Sequence, residues 1–146
     1  MKNPAEIAVA RFGQKYNCAQ SVFSAFAAPL GLDEETALKI ASPFGGGVAR
    51  QGEVCGAATG GLMALGLARG SSSPDEKEKD EVYRLSLEFL RRFEEKHGKI
   101  LCRDLIGYDL RDHAAHEQAR QAGVFTSICP RLVRDAAGIV ALLLEK

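Results

Sequence analysis

The chain has 146 residues, with 19 basic and 19 acidic side chains for a formal net charge of zero. Hydrophobic residues make up 46% and charged residues 26%, a balance that suits one globular unit with its own core, so residues 1–146 are expected to form a single domain. The lack of a basic excess argues against nucleic acid or an anionic membrane as the main partner, and no apolar run approaches the roughly 18 residues that a membrane span needs.

The spacing predicts helices almost throughout. Pro4 in a first turn and Gly13 as a stop bound a helix over 4–13. Asn17 and Gln20 form a capping-box pattern for a helix over 18–28, with Val22, Phe23, Phe26 and Leu30 as its apolar stripe and Pro29 and Gly31 at its end. Asp33 caps a helix from Glu34 to about Ala41. Pro43-Phe44-Gly45-Gly46-Gly47 reads as an irregular loop. A helix of small and apolar residues over 52–69 follows, then the polar linker Gly70-Ser71-Ser72-Ser73. Pro74, Asp75 and Glu76 open a long helix to about His97, with Val82, Leu85, Phe89 and Phe93 at helical spacing and Gly98 at its end. Its charges read as a solvated face. Cys102 to Ile106 forms a short helix stopped by Gly107, and Asp112 caps another that runs to Ala122. The last helix runs from Pro130 to about Glu145, with Val133, Ala137, Val140 and Leu144 inward. No alternating strand, repeat or boundary is evident. The expected fold is an all-α, compact single-domain bundle of about six or seven helices.

The start of the chain, Met1-Lys2-Asn3-Pro4-Ala5-Glu6, reaches an acidic residue at once and has no apolar signal core, so the expected compartment is cytoplasmic. Four cysteines then need a reason. A cytosolic chain that can build a core has no use for disulfide staples, which leaves catalysis, redox chemistry, metal binding or plain core packing. Their placement is specific. Asn17 caps the helix that begins at Cys18, Cys55 falls in the first turn of the glycine-rich helix, and Cys102 opens its short helix. Cys129 precedes Pro130, which favours the first helical position and pushes its predecessor out of helical space, so Cys129 reads as an N-cap. Unpaired N–H groups and the dipole at a helix start stabilise a thiolate, so all four thiols are expected below their usual pKa of ~8.5. Arg103 and Arg131, beside two of them, would add to the effect. Gaps of 37, 47 and 27 positions separate successive cysteines. Their convergence on one site is therefore an expectation that spacing cannot show.

Cys55-Gly56-Ala57-Ala58-Thr59-Gly60-Gly61 has almost no side-chain bulk. Glycine inside a helix costs roughly 1 kcal/mol per site, so Gly56, Gly60, Gly61 and Gly66 imply close backbone approach by neighbours, room beside Cys55, or both.

Taken together these residues resemble the C_GCAxxG_C_C family, named for four cysteines and a Cys-Gly-Ala-x-x-Gly motif. The motif is Cys55-Gly56-Ala57-Ala58-Thr59-Gly60. Phe44 to Gly52 resembles the family's glycine-rich approach, as do Cys102 to Leu110 and the Cys129-Pro130 start of the last helix. The likeness runs from about Cys18 to the end. It implies redox activity. Relatives are often encoded near transporters, and some carry selenocysteine at a cysteine position, which favours redox chemistry over a structural metal.

Other constellations carry less. His113 and His116 share a helix face that suits a metal, but a polar surface with Glu117 and Arg120 is the plainer reading. Gly45-Gly46-Gly47 lacks the Gly-Lys-Ser/Thr of a phosphate loop. Glu53 reads as support for a helix start, and Tyr16 and Tyr108 as packing beside the cysteines. Three functions follow. In the first, a thiol–disulfide protein acts on a thiol or disulfide partner, small molecule or protein, with Cys55 as the attacker among Cys18, Cys55, Cys102 and Cys129. In the second, the same four cysteines bind zinc or an iron–sulfur cluster. In the third, the chain is a non-catalytic helical interaction module.

Overall fold

The computed structural model describes residues 3–145. Met1, Lys2 and Lys146, which the expected domain range and the reading of the chain's start include, lie outside them. Among the described residues eight helices form: α1 (Pro4–Gly13), α2 (Cys18–Ala27), α3 (Glu34–Ala41), α4 (Gly56–Arg69), α5 (Glu76–His97), α6 (Cys102–Ile106), α7 (His113–Gln121) and α8 (Cys129–Leu144). The count exceeds the expected six or seven, and no strand is present among these residues; the all-α class holds. A single turn, Val124–Ser127, precedes α8, and short 3-10 turns close α2 and α3 at Ala28–Leu30 and Ser42–Phe44. No described helix is long and apolar enough to cross a membrane.

The helix starts follow from local chemistry. The side chains of Asn3, Asn17, Asp33, Asp75 and Asp112 each accept a backbone N–H in the first turn of the helix they precede. At α2 the capping box is complete, because the Gln20 side chain also accepts the Asn17 N–H. Asn17 Nδ2 donates to the Ser42 carbonyl at 3.0 Å and so ties the start of α2 to the following loop.

The main core gathers Val22, Phe23 and Phe26 of α2, Leu65 of α4, Phe89 and Phe93 of α5, and Leu132, Val133 and Val140 of α8. Helices α2 and α4 cross at very short range. A Cβ on Gly60 would lie 2.6 Å from the Ala19 carbonyl oxygen, and one on Gly56 would lie 3.1 Å from the Ala19 nitrogen. The Phe89 ring occupies the space a Cβ on Gly61 would need, at 2.5 Å. Three of the four helical glycines are thus explained by close packing, whereas nothing lies within 4 Å of a Cβ on Gly66. A second, smaller cluster joins Cys102, Ile106, Leu110, Ala119, Val124 and Cys129. Phe12, Cys18 and Ile128 touch both clusters, so the seam between the two runs past the cysteines.

One helix boundary needs correction. The helix expected from residue 52 begins only at Gly56. Gly52 has φ +74°, and Val54 pairs with Leu101 in an isolated antiparallel bridge, so the backbone here bonds to the 100–102 segment instead of forming a helical turn. The glycine loop is irregular from Gly45 onward, as expected, but hydrogen bonds hold it in one conformation. From Gly46 to Arg50 the backbone keeps positive φ, with Val48 at +65°, Ala49 at +50° and Arg50 at +65°. Left-handed backbone costs an L-residue on the order of 1–2 kcal/mol, and β-branched valine is the least suited of the three. Long-reach hydrogen bonds offset that cost: Ala49 N–H to the Pro43 carbonyl (2.8 Å), Arg50 N–H to Gly45 (3.0 Å), Gly52 N–H to Gly46 (3.1 Å) and Glu53 N–H to Gly47 (2.9 Å).

Candidate functional site

Each cysteine is delivered by a different element. Cys18 is the first residue of α2, Cys102 of α6 and Cys129 of α8, while Cys55 is the N-cap of α4. The expected placement at helix starts is therefore met, with one correction. Cys129 is not the N-cap, because Ile128 (φ −91°, ψ −51°) is already in helical space and the preceding turn runs almost directly into α8. Pro130 then occupies the second helical position, where its missing N–H leaves no internal bond unmade.

Backbone pairing sets Cys55 and Cys102 side by side. The Cys55 N–H donates to the Ile100 carbonyl (2.9 Å) and the Cys102 N–H donates to Glu53 (2.7 Å). Gly47 backs this pair, since a Cβ there would come within 2.8 Å of Cys102 Cβ. The Glu53 carboxylate faces Arg103 at 3.6 Å, a half-exposed ion pair worth little in itself.

All four cysteines line one open cleft of about 990 Å³ at the seam between the two clusters. All are free thiols; Cys18 is half-buried, and the other three are buried. Convergence across gaps of 37, 47 and 27 positions is thus a property of the fold. The walls also include Phe12, Tyr16, Leu110, Phe125 and Leu132, with Lys15, Arg50 and His116 as the charged or titratable groups. Sequence reasoning placed His116 on a polar surface. The structure instead turns it into the cleft, with its ring edge-on to Phe125 at 5.7 Å. Lys15 and Arg50 were missed, although Arg50 stands in the glycine-rich approach.

The electrostatics correct a further expectation. Three of the four thiols are raised, not lowered. Burial pushes Cys55 up to about 11, although the Ala57 and Ala58 N–H groups pull the other way. Burial pushes Cys102 up to about 12, with the Cys55 and Cys129 charges adding to it. Cys18 is held well above the ordinary thiol value by its hydrogen bond to Cys129, then by burial and the charges of its neighbours. Only Cys129 is lowered, because the Cys18 side chain donates to it and holds its charged form against burial. Magnitudes explain the outcome. A helix start is worth about 0.3–2 kcal/mol to an anion, whereas a rise to about 11 for Cys55, only 2% exposed, corresponds to about 3 kcal/mol against the thiolate. Where water is excluded and no donor compensates, desolvation wins.

A resident metal can be tested against the same geometry. Four soft thiols suit zinc or an iron–sulfur cluster by type. Yet among the described residues no three Cys, His, Asp or Glu side chains come together closely enough to hold a metal ion. The arrangement does not fit a single zinc. What it offers is a directly interacting thiol pair, Cys18 and Cys129, with a second pair beside it.

No curated protein and no solved structure matches the chain. The model of the family described as "Putative redox-active protein (C_GCAxxG_C_C)" matches residues 16–143, a span that takes in the cleft's four thiols and the glycine motif of α4, and the chain belongs to that family.

Proposed function

We propose that the protein is a thiol–disulfide redox protein in which Cys129 attacks and Cys18 resolves. The observation that carries this reading is the convergence of Cys18 and Cys129 on one cleft, where their interaction holds one thiol up and the other down. A nucleophile needs thiolate character and access, and a resolving thiol must sit within reach of it. Cys129 is the lowered thiol and lines the cleft, and the half-buried Cys18 lines the same cleft and interacts with it. Burial pushes Cys55, the attacker expected from sequence, up to about 11, which disfavours it as the nucleophile at neutral pH.

The Cys129 thiolate bonds to one sulfur of a substrate disulfide, whose S–S bond breaks and releases a first substrate thiolate. Cys18 then loses its proton to solvent and attacks the Cys129 sulfur. A Cys18–Cys129 disulfide closes and the second substrate thiolate leaves, to be protonated by solvent according to its own acidity. The substrate gains two electrons, the protein dithiol loses two, and an external thiol reductant restores it. Cys55 and Cys102 remain thiols through this cycle.

Peptide mapping by mass spectrometry after mild disulfide oxidation tests the reading. The expected product is a Cys18–Cys129 disulfide with Cys55 and Cys102 reduced. Cys18→Ser should accumulate a mixed disulfide at Cys129, and Cys129→Ser should slow the first modification by about tenfold or more. Four thiols unchanged by the oxidant would overturn it. So would stoichiometric iron in anaerobically purified protein that is lost when any one cysteine is replaced.

A further inference from the structure

The charges around the cleft are one-sided. Among the described residues no Asp or Glu lines it, although acidic and basic residues are equal in number over the chain. The charged side chains that do are Lys15 and Arg50, with His116 as a third group that can become positive. Neither Lys15 nor Arg50 is in an ion pair, whereas seven arginines elsewhere are paired with carboxylates. Both cations are exposed. Both also sit on left-handed backbone, at φ +82° for Lys15 and +65° for Arg50. For Lys15 this is the left-handed position that ends α1, and for Arg50 it is imposed by the hydrogen-bonded glycine loop, so the backbone fixes where both cations emerge at the cleft. The remaining walls are largely apolar, with Phe12, Leu110, Phe125 and Leu132 among them. The volume lies at the upper end of what drug-sized organic ligands occupy.

Resting on the redox reading above, we infer that the substrate is a small organic disulfide with an apolar, preferably aromatic body and an anionic group, its body against Phe12, Leu110, Phe125 and Leu132 and its anion at Lys15 and Arg50. A protein disulfide would present a peptide backbone that these apolar walls cannot satisfy. A zwitterionic peptide disulfide would bring ammonium groups to a cleft with no carboxylate to receive them. An aryl carboxylate leaves neither mismatch. The reaction is the one written above, with this disulfide as the oxidant.

Two probes separate charge from shape. Dithiobis(nitrobenzoate) is an aryl disulfide with carboxylates, and dithiodipyridine is a neutral one. Both release a coloured thiol, so initial rates on reduced protein are read directly. The expected result is a ratio of anionic to neutral rate well above that for free cysteine. Arg50→Asn and Lys15→Asn should each lower that ratio by about fivefold, roughly one charge's worth of attraction through water for these exposed side chains. Asparagine tolerates left-handed backbone, so the loop is kept. Lys77→Asn, on the exposed face of α5, should leave the ratio unchanged. A ratio equal to that of free cysteine, or unmoved by both cleft variants, overturns the inference while leaving the redox reading intact. If a variant does not fold, salt replaces it: raising ionic strength must slow the anionic probe more than the neutral one, and equal slowing overturns the inference. An equilibrium arm needs no thiol chemistry. Naphthoate should bind by calorimetry, and about fivefold more weakly to Arg50→Asn, while naphthalenemethanol should show no such loss. Naphthoate binding with unreactive thiols would sink the redox reading alone. No binding, or equal loss for both compounds, would sink the charged cleft.

Discussion

At the scale of single residues, a thiol in a protein is pulled by donors and neighbouring charges in one direction and by lost hydration in the other. Cys129 and Cys55 both stand at helix starts and both are buried, at 6% and 2% exposure, yet their surroundings push them in opposite directions from the ordinary thiol value. The difference between them is Cys18, which donates to one and not to the other. Cys18→Ala should therefore raise the apparent pKa of Cys129. A hydrogen bond to a charged group is worth about 1.5–3 kcal/mol, so the pH profile of Cys129 alkylation should move up by about one unit or more. Cys18→Ser keeps a donor at the same position and should recover most of that shift. A profile that ignores both replacements would mean that the helix start alone holds the charge. Sequence showed that these residues begin helices, because Asn17, Gln20 and Pro130 are local signals. It could not show which thiolate survives burial, because that depends on a partner 111 positions away in the chain.

At the scale of elements, the glycine motif of α4 serves packing first. Gly60 lets α4 approach the backbone of α2 at Ala19, and that crossing fixes Cys18 beside Gly56 at the cleft wall. The same helix supplies its own control in Gly66, where a Cβ would meet nothing within 4 Å. Alanine normally gains about 0.5–1 kcal/mol over glycine in a helix. Gly66→Ala should show that gain as a raised denaturation midpoint. Gly60→Ala should lose stability instead, by about 1–2 kcal/mol net, because overpacking against backbone costs about 1–3 kcal/mol and nothing flexible can yield. Equal stabilisation by both would show that the α2–α4 contact is loose. Helices α1, α3 and α6 were legible to the residue, since each carries a stop or a cap of its own. The region from Gly45 to Val54 was not. Its left-handed turn and its bridge to Leu101 are held by bonds between residues that no propensity links, so a glycine-rich string reads only as irregular.

At the scale of the whole molecule, the fold stores three protonated thiols at one seam, and this gives the protein an alkaline liability. Cys55 and Cys102 are raised to about 11 and about 12, and Cys18 is raised as well. In the unfolded chain all three ionise near ~8.5. Below that pH the folded and unfolded states bind the same protons at these sites, and the stability the buried thiols contribute is fully present. As pH rises past it the unfolded state loses protons that the folded state keeps. Unfolding then becomes easier, and the loss is complete only above the folded values of about 11 and about 12. Cys129 has the opposite sign: lowered in the fold, it contributes stability that is present above the unfolded value and lost as pH falls through the folded one. Lysines and tyrosines also titrate in the alkaline range, so the informative quantity is a difference between two proteins. Urea denaturation under reductant at about pH 8 and about pH 10.5 should show wild type losing more stability than Cys55→Ala. The excess should be on the order of 2 kcal/mol, because the variant has no thiol there to ionise when unfolded. The Cys55→Ala protein will start less stable, having lost a buried sulfur, but its slope with pH should be shallower. Equal slopes would mean that Cys55 ionises as readily in the fold as in the open chain. That result would in turn reopen its candidacy as the attacking thiol.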